Sequence, residues 1–256
     1  MRKDRTISPQ DYLHPMDRAL SQKITDLPFV GQILDRIFQE KLDAVNSYLY
    51  QSSCMKLPDS HAAAVAFHDG CRRFGLNIAE NVYVVRSYDF DVRVVGYTDP
   101  VVLVPSRLME DNHALFLEER TAVAAAAIAA GHPKLDFLLW IYENFNALWN
   151  LPVIHAAAAG LVNEWRRSRY YTLDRAFFLY TNHYPMALEN ILYGTVPYPV
   201  LENFDFGGDD TYSIQVDDFY RIGNATDVVA AVSSVLQCEI WLPERYEELR
   251  KFCRKG

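Results

Sequence analysis

A run of small alkyl side chains in the middle of the chain restricts its folding more than any other feature. From Thr121 to Ala130 the sequence reads "TAVAAAAIAA", and after Thr121 no side chain in it can bind a metal, transfer a proton or attack a carbonyl. Alanine is the strongest helix former, and its small side chain lets a neighbouring element approach closely. Gly131 and Pro133 follow as helix breakers. The run therefore predicts a buried helix.

The composition is that of a globular protein. Of 256 residues, 50% are apolar and 23% are charged, which is enough to build a sizeable core in one large domain. The net charge of −8 disfavours nucleic acid, because phosphate backbones are bound by clusters of Lys and Arg. We therefore expect no nucleic-acid partner.

The sequence shows no signal for export or for disulfide formation. Its four cysteines are scattered without a C-x-x-C pair, which favours a reducing compartment. The basic N-terminus lacks the apolar segment of a signal peptide. The uncharged run 144–163 is long enough to span a bilayer but contains four Asn, a His and a Pro. We expect a cytoplasmic protein without a membrane span; weak contact with a membrane surface stays open.

Hydrophobic periodicity divides the chain into helices around a short β region. Residues 29–50 predict one long amphipathic helix. Cap-type residues and Gly75 bound a second helix at 58–75. Stretches rich in Val and Tyr at 81–88 and 92–108 predict two or three strands. Further helices are expected at 118–130, 135–150, 155–181, 184–194, 228–236 and 244–253. The fold class is α+β, mainly helical, with a small sheet before the alanine helix.

Three segments share residues and spacing with one enzyme family. The segment "NVYVVRSYDFDVRVVGYTDPVVLVPSRLM" has Pro100, Ser106 and Leu108 in the places where the family has P-x-I-V-L-x-S-x-L-L. The segment "WRRSRYYTLDRA" matches W-x-R-x-x-E-x-x-A-D-R-A at Trp165, Arg167, Asp174, Arg175 and Ala176. The segment "WLPERYEELRKF" is similar to a closing P-x-x-R-x-x-x-L helix through Pro243, Arg245 and Leu249. In this order the segments resemble the M48 family of zinc metallopeptidases, which includes HtpX and Ste24.

The resemblance runs from about residue 29 to residue 252 and implies a zincin-like fold. It sets residues 1–28 apart as an N-terminal extension and makes 29–256 a single peptidase-like domain. In active members, H-E-x-x-H on a helix supplies two zinc ligands and a general base. Counted without gaps from Pro100, this motif falls on the alanine run, with Val123 and Ala127 as ligands and Ala124 as the base.

Other registers of the motif give the same result. A shift of three residues places it on 126–130, and a shift of five makes His132 the second ligand, but the base is alanine each time. The third zinc ligand of the family, a Glu, falls on Tyr170. The resemblance therefore implies a peptidase-like protein that has lost its zinc and needs no cofactor.

At the positions of the family site, some residues are retained and others are replaced by residues with different polar side chains. Asp174 orients a zinc-bound His in active relatives; here we expect it to pair with Arg167, Arg169 or Arg175. Tyr170 is expected to fill the old cleft by packing. His132 is expected to end a helix, where the macrodipole favours a cation. Together with Asp174 and Arg175, His132 is a candidate groove residue.

Two functions follow from the resemblance. The first is a non-catalytic binding or regulatory protein that holds a protein or peptide in the former substrate groove, by strand addition near residues 102–104. The alternative is a zinc-dependent metalloendopeptidase with non-standard ligands, drawn from His113, His132, His155 and Asp174. It predicts about one zinc per chain. The identity of the partner and the oligomeric state stay open.

Overall fold

The fold is described from a computed structural model over residues 6–39, 41–79, 81–86, 91–109, 116–144, 152–195 and 242–254. Helices dominate, and a four-stranded sheet packs among them, so the mainly helical α+β prediction is confirmed. The described helices are α1 (Pro9–Tyr12), α2 (Pro15–Thr25), α3 (Pro28–Gln39), α4 (Leu42–Ser53), α5 (Ala62–Arg73), α6 (Leu117–Ala129), α7 (His132–Asn144), α8 (Pro152–Thr181), α9 (Tyr184–Thr195) and α10 (Leu242–Cys253). The strands are β1 (Met55–Lys56), β2 (Val82–Val85), β3 (Arg93–Val95) and β4 (Val101–Pro105), and Ser106–Met109 form a 3-10 turn.

The first two helices pack against α8. Tyr12 of α1 is fully buried, and its hydroxyl donates to the backbone oxygen of Ala126 at 2.9 Å. Leu20 and Ile24 of α2 are buried in a cluster with Leu138 of α7 and Trp165 of α8. Residues 6–27, which the resemblance assigned to an N-terminal extension, therefore contribute side chains to the core.

The single long helix predicted at 29–50 is wrong. The structure has two helices, α3 and α4, and Lys41 between them has a left-handed backbone with φ of +54°. A left-handed residue ends the regular helical hydrogen-bond pattern. The second helix, α4, is attached beside the sheet, because the Asp43 carboxylate accepts hydrogen bonds from the backbone of Tyr97 and Thr98.

The sheet has the strand order β1-β2-β4-β3. Strands β2 and β4 are parallel, whereas β1 and β3 lie antiparallel at the two edges. The strands β2, β3 and β4 confirm the sequence prediction. The two-residue strand β1 was missed, because so short a strand has no periodicity of its own.

The alanine run forms α6, and its prediction as a buried helix is confirmed. Ala122, Ala125 and Ala126 are fully buried. Helix α5 packs along α6 so closely that a Cβ atom on Gly70 would overlap the backbone oxygen of Ala122 and lie 2.8 Å from its Cα. The small side chains thus serve a close contact between two helix backbones.

The remaining predicted helices correspond to α7, α8, α9 and α10 with shifted ends. Helix α7 begins at His132, three residues before the predicted start, and α8 begins at Pro152. Pro fits the first turn of a helix, since its missing N–H has no intrahelical partner there. Residues 145–150 of one predicted helix and the predicted helix at 228–236 lie outside the described residues.

Within the described ranges, no helix taken singly has the length and apolar character needed to cross a membrane. Among the helices that the structure describes, α6 combined with residues 132–139 of α7 meets that criterion, and the two are bent by 80° at the break between them.

Candidate functional site

One face of α6 carries the positions at which the resemblance places H-E-x-x-H. Arg120, Val123 and Ala127 follow each other at helical spacing and share this face. Val123 and Ala124 are buried, and Ala127 is partly buried. The side chains of Val123, Ala124 and Ala127 have no nitrogen, oxygen or sulfur atom. The face therefore offers neither a zinc ligand nor a proton acceptor.

Arg120 shows which way this face is directed. Its guanidinium donates to the side-chain and backbone oxygens of Asn190 in α9, at 2.7 and 3.1 Å. Burial lowers the pKa of Arg120, and the charges of Asp91, Arg245 and Asp174 also act on it. Arg120 thus joins this face of α6 to α9, and α6 also packs against α8, which carries Asp174.

Asp174 is buried and makes a two-pronged ion pair with Arg245 of α10. The Nε and Nη2 atoms of Arg245 donate to the two carboxylate oxygens at 2.9 and 2.6 Å. Although burial opposes the charge on Arg245, Asp174 raises the pKa of this guanidinium above its ordinary value. The predicted ion pair is present, but its partner was predicted wrongly. Arg167, Arg169 and Arg175 lie on the same helix as Asp174 and bond to other residues.

Tyr170, which the resemblance places at the third zinc ligand, contacts two arginines. The guanidinium of Arg245 lies 4.9 Å from the centre of its ring, and that of Arg169 lies 5.5 Å from it. Arg169 is in turn paired with Asp136 of α7. Such contacts between cations and aromatic faces contribute about 0.5–2 kcal/mol each. The partly buried phenol ring therefore lies against two guanidinium groups.

The residues present at the family site do not fit a zinc ion. A zinc site needs three or four nitrogen, oxygen or sulfur ligands. Two of the three ligand positions are alkyl, and the third is a phenol ring between guanidinium groups. Among the residues that the structure describes, no three His, Cys, Asp or Glu side chains stand close enough to hold a metal ion.

The non-standard ligand set receives no support from the residues that can be placed. His132 is bonded to Asp17, and Asp174 is bonded to Arg245. His113 lies outside the described residues. His155 belongs to α8, but its side chain is not among those described.

His132 has a different environment from the predicted one. It is the first residue of α7 and is buried, and its Nε2 donates to the Asp17 carboxylate at 2.8 Å. The predicted role at a helix C-terminus is therefore wrong. The ring also meets the indole of Trp165 edge-on, with centroids 5.8 Å apart. Its position is set by a specific carboxylate and an aromatic neighbour.

The Asp17 carboxylate is the centre of a buried network that sequence reasoning missed. It accepts hydrogen bonds from His132, from the Trp165 indole at 3.0 Å, from the Thr172 hydroxyl at 2.5 Å and from Ser21 at 3.1 Å. Burial by itself would raise the pKa of Asp17, but the bonds from His132 and the hydroxyls outweigh it and lower the pKa. The network ties α2, α7 and α8 together.

Arg175 does not join the residues around Tyr170. It lies 3.9 Å from Glu248, and its guanidinium lies 4.8 Å from the ring centre of Phe252, both on α10. Burial lowers its pKa. We therefore assign Arg175 to the contact between α8 and α10.

The open edge of the sheet differs from the expected one. Residues 102–104, expected to face the groove, belong to β4, which is paired on both sides and buried. The edge strand next to β4 is β3, which contacts α6 and α7. Val102 donates its N–H toward β2, to the oxygen of Asn81 at 2.7 Å. Val94 lies opposite Val102, so this is a non-hydrogen-bonded pair and the N–H and C=O of Val94 point away from β4.

Some of the missed residues had a signal in the sequence. Arg245 is part of the closing motif, and a buried Asp on α8 needs a cation, so the pairing between the two motifs was accessible. Arg120 and Asn190 lie in no motif. Asp17 is likewise surrounded by an ordinary amphipathic helix.

Comparison with protein-family models, curated proteins and solved structures gave no match, so the resemblance to M48 peptidases rests on the sequence motifs alone.

Proposed function

We propose that this chain is a catalytically inactive M48 peptidase-like protein that binds an extended segment of another protein. The observation that carries the proposal is the motif face of α6, where Val123, Ala124 and Ala127 replace two zinc ligands and the general base. Peptide hydrolysis by a zincin requires a metal-bound water and a group that takes its proton. Alkyl side chains supply neither.

The charged groups at the site support the same proposal. Asp174 and Arg245 neutralise each other, and Arg169 is paired with Asp136. A carboxylate in a buried ion pair is a poor general base, because protonating it leaves an uncompensated cation. These ion pairs hold α7, α8 and α10 together.

The binding mode follows from the β3 edge. Its Val94 presents an outward N–H and C=O that an extended peptide can pair with, as in other cases of strand addition. The helices α6 and α7 contact β3 and form the neighbouring surface. Main-chain hydrogen bonds supply affinity in this mode and require no metal.

Metal analysis tests the loss of catalysis. Protein purified without chelator should contain far less than one zinc per chain, and added zinc should leave the melting temperature unchanged. A stoichiometric zinc with a clear rise in melting temperature, and peptidase activity that a chelator removes, would support the zinc-dependent alternative instead.

Substitution of Val94 tests the binding mode. Peptides selected from a displayed random library on the wild-type protein should bind Val94→Pro on the order of tenfold more weakly, because the edge loses one donor. The matched control is Val94→Ala, which keeps the N–H and should bind like wild type. Bound peptide should also slow hydrogen exchange at the Val94 amide. Equal affinities for the Pro and Ala variants would rule out strand addition at β3 but would leave the metal result unaffected.

A further inference from the structure

Helix α2 begins at a histidine cap. The residues preferred at this position are Ser, Thr, Asp and Asn, whose side-chain oxygen accepts a backbone N–H of the first turn. His14 accepts with a nitrogen instead: its Nδ1 receives the N–H of Met16 at 3.2 Å, and its carbonyl oxygen receives that of Arg18 at 3.0 Å. The N-terminus of α2 is therefore capped by the lone pair of an imidazole ring.

The other ring nitrogen of His14 shows where the ring carries its hydrogen. Nε2 lies 3.1 Å from the Glu248 carboxylate of α10. Although burial acts in the opposite direction, hydrogen bonds from Lys251 and His14 lower the pKa of Glu248, so this carboxylate is an acceptor near neutral pH. Nε2 therefore carries the hydrogen and Nδ1 carries the lone pair. Both contacts require this one neutral tautomer.

Protonation of His14 is incompatible with the cap. An imidazolium has an N–H at both ring nitrogens, so its Nδ1 can no longer accept from Met16. The positive charge would also lie at a helix N-terminus, where the macrodipole disfavours cations. The ring is not free to turn into solvent, because its side chain is only 12% exposed and its centroid lies 5.0 Å from that of Tyr171. Burial raises the pKa of Tyr171, which stays neutral beside it.

Charged groups of three helices act on His14. Burial and Arg175 of α8 oppose the protonated ring, whereas Glu248 of α10 and Asp17 of α2 favour it. Burial is the largest of these effects, and the pKa of His14 is lowered below its ordinary value. The folded protein therefore binds this proton more weakly than the unfolded chain. The stabilising contribution of neutral His14 is complete above pH 6.5 and is lost as the pH falls through the lowered pKa.

We propose that His14 is a pH-sensitive cap, which holds α1 and the first turn of α2 in place at neutral pH and loosens them as the medium becomes acidic. The pKa of Asp17 is lowered from 3.8, so the Asp17 carboxylate stays charged over this range. The opening is therefore local. The Asp17 network still holds α2 against α7 and α8, while Tyr12 of α1 is released from its bond to Ala126 of α6.

Hydrogen exchange on the full chain tests the cap. The protection factor of the Met16 amide, corrected for the intrinsic rate at each pH, should fall on the order of fivefold between about pH 7.5 and pH 5, which is the contribution of one helix cap. In His14→Asn a side-chain oxygen that does not titrate replaces Nδ1, so the protection should be the same at both pH values. The matched control is His61→Asn, because the Nδ1 of His61 caps α5 by accepting from Ala63 at 3.2 Å. This variant should keep the wild-type response at Met16.

Two measurements on the wild type alone can overturn the proposal. One is equal protection of the Met16 amide at the two pH values. The other is nitrogen-15 NMR that places the hydrogen of neutral His14 on Nδ1. A His14→Asn variant that keeps the wild-type response to pH, or a His61→Asn variant that loses it, would also contradict the role assigned to His14.

Discussion

At the scale of residues, one carboxylate determines how three helices meet. Asp17 is fully buried and accepts bonds from His132, Trp165 and Thr172, which lie on α7 and α8. These partners are 115 to 155 positions away along the chain. A local pattern contains no information about such distant partners, so neither Asp17 nor its effect on His132 could be predicted from the sequence. The sequence showed only that His132 lies at a helix boundary.

Replacing Asp17 by Asn should destabilise the protein by about 3 kcal/mol, because a buried charge partner is removed. The pKa of Asp17 is lowered from 3.8 in the folded state. The stabilising contribution of the Asp17 carboxylate is therefore complete above pH 3.8 and is lost as the pH falls through the lowered pKa. Urea unfolding of wild type should show a decrease in the free energy of unfolding below about pH 4 that is smaller in Asp17→Asn. The exposed Asp26→Asn is the control; an equal effect there would contradict the role assigned to Asp17.

At the scale of elements, the contact between α5 and α6 explains the alanine run. The sequence predicted α6 well, since nine consecutive alkyl residues before Gly131 leave few other choices. It also predicted the three longer strands from their Val content. The sequence prediction failed at residues 29–50. The break at Lys41 depends on a left-handed backbone and on the bond between Asp43 and Thr98, which are distant in sequence. Periodicity alone does not reveal either cause.

Gly70→Ala should destabilise the protein by about 1–3 kcal/mol, because its methyl group would overlap the backbone of Ala122 and force α5 away from α6. The matched control is Gly160→Ala in α8, where a Cβ atom meets nothing within 4 Å. That change should stabilise the helix by about 0.5–1 kcal/mol. Thermal unfolding of the two variants measures both effects. Changes of the same sign would contradict the close contact between α5 and α6.

At the scale of the whole molecule, the described C-terminal helix is held by the site that the resemblance assigns to catalysis in active relatives. Arg245 of α10 bonds to Asp174 of α8, and α10 also packs against α9. The sequence predicted an ion pair for Asp174 but placed its partner among the arginines of the same helix. Arg245 was seen only as part of the closing motif, because a local pattern does not show which distant helix packs against α8.

Breaking the Asp174–Arg245 pair should cost about 3–5 kcal/mol in each of the single variants Asp174→Leu and Arg245→Met, because each leaves a buried charge without its partner. The double variant should lose much less than the sum of the two, since it leaves no charge behind. Urea unfolding of the four proteins measures this coupling. Additive losses would show that the pair contributes no mutual stabilisation.

The Asp17 network also affects folding of the chain during its synthesis. Its carboxylate finds its last partner 155 residues later, at Thr172. At a synthesis rate of about 5–20 residues per second, a nascent chain carries α2 for roughly 10–30 s before α8 leaves the ribosome. During this interval the apolar face of α2 has no surface to cover it, so the emerging N-terminus is a natural binding site for chaperones.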